Sequence, residues 1–298
     1  CVIVTLLLWR SIGIPGALFA AAAIAISPAD VYYSKTYIHE IFFTFGLVVM
    51  VWGLLEGART KKALPTIALY LGVTLCFLNK ETAAFHVVVF LVAMLLAWLA
   101  GRYFKKDEPF PVAHFFGYRN LLPLVIGLGS GLLLWLFFFS SFFKNDQGLI
   151  DFFKAYMPWF ETGVEKAAHV KPWSYFFKLI AEYYWPALPF ALWALIRAIW
   201  VRRPRTIALW VIAALLTTIY SVIPYKTPWC IISMGVAWLL VAGEGFGDLF
   251  AFLPWRAAKA ALVVIAVGML GYYGYFSYRL NFLEYDWNHN QKTSPIQH

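Results

Sequence analysis

Three short segments set a lysine near tyrosines or a carboxylate, and each could hold an anion. The first is Ser27-Pro28-Ala29-Asp30-Val31-Tyr32-Tyr33-Ser34-Lys35-Thr36-Tyr37-Ile38-His39-Glu40. The second is Asn79-Lys80-Glu81-Thr82, and the third is Pro224-Tyr225-Lys226-Thr227-Pro228-Trp229, clamped by two prolines. Ammonium groups beside phenol hydroxyls suit a phosphate, because charge-assisted hydrogen bonds are the strong ones. A neighbouring carboxylate could orient a sugar or take a proton. A fourth segment, His169-Val170-Lys171-Pro172-Trp173-Ser174-Tyr175-Phe176, adds a titratable ring and another cation ahead of an aromatic helix start. Each has a plainer reading as well. Lysines reach out of helix ends, tyrosine and tryptophan form interface belts, and the fourth segment could be a juxtamembrane anchor.

The elements that must position these residues are membrane helices. Of 298 residues, 62% are apolar and 13% charged, against about 45–50% and 25% in soluble domains. Mean hydropathy is +0.71. A soluble globular domain, a disordered chain and a nucleic-acid binder are excluded, so the net charge of +9 reads as a topology signal. The apolar residues suffice for roughly nine crossings at about 20 residues each. Nine runs can be drawn, at about 13–28, 38–56, 64–79, 82–100, 119–140, 183–200, 206–222, 229–246 and 257–278, after a partial run at Cys1–Trp9. The expected fold is all-α and polytopic: one membrane domain over residues 1–298, with about nine full spans and one partial. Opening inside an apolar run without Met, the sequence reads as a fragment whose first outer loop lies upstream.

Alternate loops sort by charge. One side receives Arg10, Arg59, Lys61, Lys62, Arg102, Lys105, Lys106, Arg119, Arg197, Arg202, Arg203, Arg205, Arg256 and Lys259, which include nine of the ten arginines. The positive-inside rule makes that side cytosolic. The lysine segments then share the opposite, extracytosolic side of a multi-pass protein of the cell membrane. The long loop 141–182 also falls there, and its residues 149–161 predict an aromatic-rich helix lying in the interface. Membrane lipids are the expected surroundings.

Other candidates are weaker. Cys1, Cys76 and Cys230 form neither a disulfide framework nor a zinc pattern, and read as small apolar residues. His86 reads as a packed histidine. No Asp, Glu, Lys or Arg falls in mid-span, which speaks against an ion-coupled transporter. Asp146, Asp151, Glu161 and Glu165 form no metal-ligand pattern, so the cofactor stays open, a divalent metal included.

Taken together, the segments resemble a known family. SPADVYYSKTYIHE (27–40) resembles the outer loop of polytopic GT-C glycosyltransferases, where Tyr-Tyr-Ser-Arg/Lys leads to an acidic residue opening the next span. HVKPWSYF (169–176) resembles their His-x-x-Pro-Trp/Phe-x-Tyr-Tyr string. IPYKTPW (223–229) resembles a late outer turn of the flippase-activity-associated branch, which is related to the dolichyl-phosphate-mannose protein mannosyltransferases. The tail YDWNHNQKTSP faintly resembles that branch's next outer segment.

The resemblance implies a polyprenyl- or dolichyl-phosphate-linked sugar donor and an extracytosolic active site, with the acceptor unspecified. By position, Tyr33 and Lys35 would face the donor phosphate and Glu40 would sit at the rim as the acidic residue of this chain. His169 and Lys171 would lie in the outer loop, and Lys226 at the donor pocket. His39, Lys80, Glu81 and Tyr225 complete the expected donor surroundings. The family's acidic base would lie upstream of Cys1. Lys35 stands where Arg is commoner, which keeps the charge and loses the bidentate fork. The expected function is therefore glycosyl transfer. The alternatives are a lipid-linked saccharide flippase or transporter, and a non-catalytic assembly subunit.

Overall fold

The computed structural model describes residues 1–36, 38–104, 109–117, 120–157 and 170–284, and every regular element among them is helical. Two short helices, α1 (Val2–Leu6) and α2 (Trp9–Ile12), lead to α3 (Ile14–Ile26). The break before α3 falls at Gly13, whose φ of 79° is open to glycine and strained for other residues. Next, α4 (Pro28–Lys35) leaves α3 at 51°. Ser27 makes that bend. Its hydroxyl accepts from the Asp30 N–H at 3.4 Å, and Pro28 takes the first helical position, where no N–H is needed.

The chain then crosses back and forth through α5 (Glu40–Thr60), α6 (Ala63–Phe77) and α7 (Ala83–Tyr103). After α8 (Val112–Phe116) come α9 (Leu121–Phe139) and α10 (Gln147–Lys154). A second bent pair, α11 (Tyr175–Tyr183) and α12 (Ala187–Trp200), turns through 106°. The last helices are α13 (Pro204–Val222), α14 (Ile231–Phe252), entered by a 3₁₀ turn at Pro228–Cys230, and α15 (Arg256–Tyr278), which ends in a wide π turn at Arg279–Leu283.

The central pillar is α14, whose span is 89% buried; α3, α5, α12 and α13 pack around it. Small residues permit this. A methyl on Gly16 of α3 would collide with the Gly243 carbonyl of α14, and between apolar helices in lipid close backbone approach is what drives association. The peripheral helices α9 and α15 are 17% and 22% buried, and present Leu122, Leu133, Val264 and Val267 outward. Apolar faces of that size fit a lipid surround.

Six helices are long and apolar enough to cross a bilayer, or up to eight if each bent pair is one span. The protein is thus a helical, multi-pass membrane protein. These counts fall short of the expected nine plus a partial because several of the expected runs are broken or short. The run at 13–28 breaks at Ser27-Pro28. The run at 183–200 breaks before Ala187, next to Pro186. The run at 64–79 forms a helix of only 15 residues, about 22 Å long. Cys1–Trp9 forms short helices against α3 and α5 in place of a partial span. Where an interfacial helix was expected over 149–161, the chain forms a short helix at Gln147–Lys154; residues 158–161 lie outside the described residues. Its Phe152 packs edge-on against Phe139 and Trp135 at the end of α9.

Charged groups collect at the two ends of the bundle. At one end Lys80 meets Glu40, the first residue of α5. At the other, about 24 Å along that helix at 1.5 Å per residue, Glu56 pairs with Arg59 and Ser11, while Asp248 holds Arg197 and Arg203. The sequence reading left these acidic side chains out of account. They are buried because arginines reach them: Arg59 from the next turn of α5 to Glu56, and Arg197 and Arg203 from the α12–α13 region to Asp248.

Candidate functional site

The Lys80 end contains a cavity of about 440 Å³. Four parts of the chain build it. The start of α5 gives His39; the α6–α7 turn gives Asn79, Lys80, Glu81 and Thr82; α11 and α13 give Phe176 and Tyr220; the segment between α13 and α14 gives Ile223, Tyr225, Lys226, Thr227, Trp229 and Cys230. Five expected residues, His39, Lys80, Glu81, Tyr225 and Lys226, therefore line one cavity although 187 positions separate the first from the last.

Lys80 is the hub. Its ammonium donates to Glu40 Oε1 at 2.5 Å and to Cys230 Sγ at 3.4 Å. Burial pushes the Lys80 pKa down, but Cys230, Glu40 and Tyr220 beside it push it up by more, so the ammonium holds its proton beyond the usual lysine range. Glu40 is 3% exposed, and its other oxygen lies 3.2 Å from His39 Nε2. A carboxylate bound this way is a positioning group: it fixes Lys80 and the start of α5, and is not free to take a proton.

Lys226 differs. Its side chain is 2% exposed. Its ammonium donates to two backbone carbonyls, Ile223 O at 2.5 Å and Lys171 O at 3.1 Å. Among the described residues no carboxylate lies within 4.0 Å of it. Burial pushes its pKa down, as expected for a cation whose charge is solvated only by neutral dipoles.

Lys171 is brought here by pairing of two segments that the sequence reading treated as separate. Val170 forms an antiparallel bridge with Tyr225, and the Lys171 N–H donates to Pro224 O at 3.2 Å. His169, the other expected residue of that segment, lies outside the described residues, as do Tyr37 and the tail beyond residue 284.

Lys35 and Tyr33 are not in the cavity lining. The Lys35 ammonium donates to Asn281 O at 2.7 Å and lies 4.1 Å over the Phe282 ring. Tyr33 is buried, edge-on to Tyr32. Lys35 and Lys226 were expected to form one anion site; the structure gives them different partners.

Three contributors escaped the sequence reading. Cys230, taken as an apolar filler, sets its sulfur 3.1 Å from Thr227 Oγ1 and beside Lys80. Its one signal was adjacency to the Pro224–Trp229 segment. Asp30, read as part of an outer loop, is buried, with the Tyr184 hydroxyl donating to it at 3.3 Å. Asn281 carries a donor to Pro28 O at 3.1 Å and receives Lys35 on its backbone carbonyl; nothing local marked it. His86 is packed as expected, fully buried with Nδ1 3.2 Å from Thr82 O. Among the described residues no group of three or more His, Cys, Asp or Glu could hold a metal ion. In comparisons with known proteins, no family model, curated protein or solved structure matches the chain.

Proposed function

We propose that the protein is a membrane glycosyltransferase that takes a sugar from a polyprenyl- or dolichyl-phosphate carrier, with the Lys80–Lys226 cavity as its donor-phosphate site. The observation that carries this reading is Lys226. A buried ammonium held only by carbonyls, on the wall of a cavity and close to a locked Lys–Glu pair, is electrostatically incomplete, and an anionic ligand completes it. In transfer, an acceptor hydroxyl attacks the anomeric carbon, the bond from that carbon to the phosphate oxygen breaks, and the lipid phosphate departs with the electron pair. Lys226 stabilises the charge that develops on the leaving group. Glu81 is the cavity-lining carboxylate not bound to Lys80, and takes the acceptor proton in this scheme.

The same reading assigns nine crossings, counting each bent pair and α6 as spans. Support for α6 comes from its register. Gly53 of α5 sits against Leu69 and Pro65, Gly46 against Cys76, and the turn after α6 meets Glu40. So α6 with its turn returns along nearly the whole of α5. By the arginine bias of the loops the cavity face is extracytosolic, and in this reading the membrane is the cell membrane.

The test is transfer from a polyprenyl-phosphate sugar by the full-length protein in membranes. Lys226→Ala should lower turnover at limiting donor by about 5–150-fold, the equivalent of about 1–3 kcal/mol for one charge-assisted hydrogen bond. Lys35→Ala should have a smaller effect, because Lys35 is held on Asn281 away from the cavity. Full transfer by Lys226→Ala would sink the phosphate role. Saturable lipid-phosphate binding with no transfer by wild type would point to a flippase or a non-catalytic subunit.

A further inference from the structure

The opposite, arginine-rich end holds a second cavity, of about 400 Å³. Among the described residues its lining carries Arg59, Lys61, Arg202, Arg203 and Arg205 against a single carboxylate, Glu244. Arg59 and Arg203 are engaged behind the wall, Arg59 with Glu56 at 2.6 Å and Arg203 with Asp248. Glu244 accepts from the Thr206 hydroxyl at 2.8 Å. Arg202 lies over the Phe104 ring at 5.6 Å. Among the described residues neither Arg202 nor Arg205 has a carboxylate within 4.0 Å.

Two further facts make this more than a basic surface. Lys61 and Arg202 occupy left-handed backbone positions, with φ of 54° and 61°, in the α5–α6 and α12–α13 turns. Glycine is the usual residue there. A cation at the end of a helix is favoured by the helix dipole, which accounts for a charge in each turn but not for both lining one cavity. Arg205 breaks that pattern. It is the second residue of the 19-residue α13, where the dipole disfavours a cation and favours an anion. An anion in the cavity would be attracted to the start of α13 and to Arg202 and Arg205 together.

We propose that this cavity binds a phosphate group, carried either by an anionic phospholipid or by a soluble phosphate compound. The proposal does not depend on the glycosyltransferase reading. It is tested with the full chain in nanodiscs by two titrations: phosphatidylglycerol, counted by native mass spectrometry from mixed-lipid discs, and inorganic pyrophosphate, followed by calorimetry in neutral discs. Saturable binding of one ligand is expected in one of the two, and which one identifies the source. Arg202→Gln/Arg205→Gln should weaken it at least tenfold while leaving the buried Glu56 and Asp248 pairs intact. Arg202→Lys/Arg205→Lys should retain most of it. Arg256→Gln/Lys259→Gln, an equal loss of charge on residues outside the cavity lining, should leave it unchanged. No saturable binding in either titration overturns the proposal, as does equal weakening by both glutamine pairs.

Discussion

A lysine and a glutamate 40 positions apart form the ion pair that joins α5 to the α6–α7 turn. Removing one partner of a buried pair leaves the other charge unpaired and costs about 3–5 kcal/mol. Lys80→Met should therefore destabilise the folded protein on that scale in a detergent-unfolding titration, and Glu40→Gln on top of it should restore part of the loss. A second variant that adds its own full cost would show the two side chains to be independent. The pH dependence has a definite sign. The folded pKa of Lys80 lies above its unfolded value of about 10.4. Its contribution is thus complete below that unfolded value and fades only as pH rises through the higher folded one. The stability gap between wild type and Lys80→Met should stay flat from pH 7 to about pH 10; a gap that closes by pH 9 would contradict the raised pKa. At this scale the sequence was informative about type and not about partner. Lysine, tyrosine and carboxylate marked two turns that meet in one cavity, but Lys35 and Lys226 have the same local look, and only the fold sends one to Asn281 and the other to the cavity wall.

At the scale of the element, α5 and α6 form the closest hairpin, with Gly53 at the contact. A Cβ there would lie 2.5 Å from Leu69 N and 2.6 Å from Pro65 O, both backbone atoms that cannot rotate away. Gly53→Ala should cost about 1–3 kcal/mol by overpacking. Gly268 on α15 has nothing within 4 Å of its built Cβ, so Gly268→Ala should be neutral or slightly stabilising, since alanine is the better helix former. Thermal unfolding of the two variants decides it, and equal effects would mean that the hairpin contact is looser than described. Helix existence was legible because runs of apolar residues bounded by charge, proline and glycine leave little else in a membrane. Helix integrity was less so. The breaks at Ser27-Pro28 and before Ala187 carry prolines, yet prolines at 65 and 123 sit inside unbroken helices. A proline near a helix start is tolerated, and whether it also bends the chain depends on capping and packing that no local pattern reveals.

For the whole molecule, the charge sorting of loops makes a claim about orientation. Lys62→Cys should react with a membrane-impermeant thiol reagent only after the cell is opened, and Lys144→Cys in intact cells, both in a background with Cys1 replaced by Ser. Labelling of Lys62→Cys from outside would reverse the assignment and put the Lys80 cavity in the cytosol. The division into two polar ends was legible in outline from the alternation of basic and arginine-poor loops. The buried acids at the arginine-rich end were not, because Glu56 and Asp248 near helix ends look like ordinary interfacial charge until the arginines that cover them are seen.

The pillar α14 also leaves the ribosome after the helices that pack around it. Its strongest partners, α3 and α12, emerge before it, and more than 200 residues separate the end of α3 from the end of α14. At about 5–20 residues per second the early helices spend some tens of seconds in the bilayer with their small-residue faces uncovered. Gly16 and its neighbours must therefore be shielded by lipid, by one another or by an insertion chaperone until α14 arrives. Biogenesis of this protein is a matter of keeping a vacancy open, and chains that stall before residue 228 should be held by the insertion machinery or degraded rather than released as a smaller bundle.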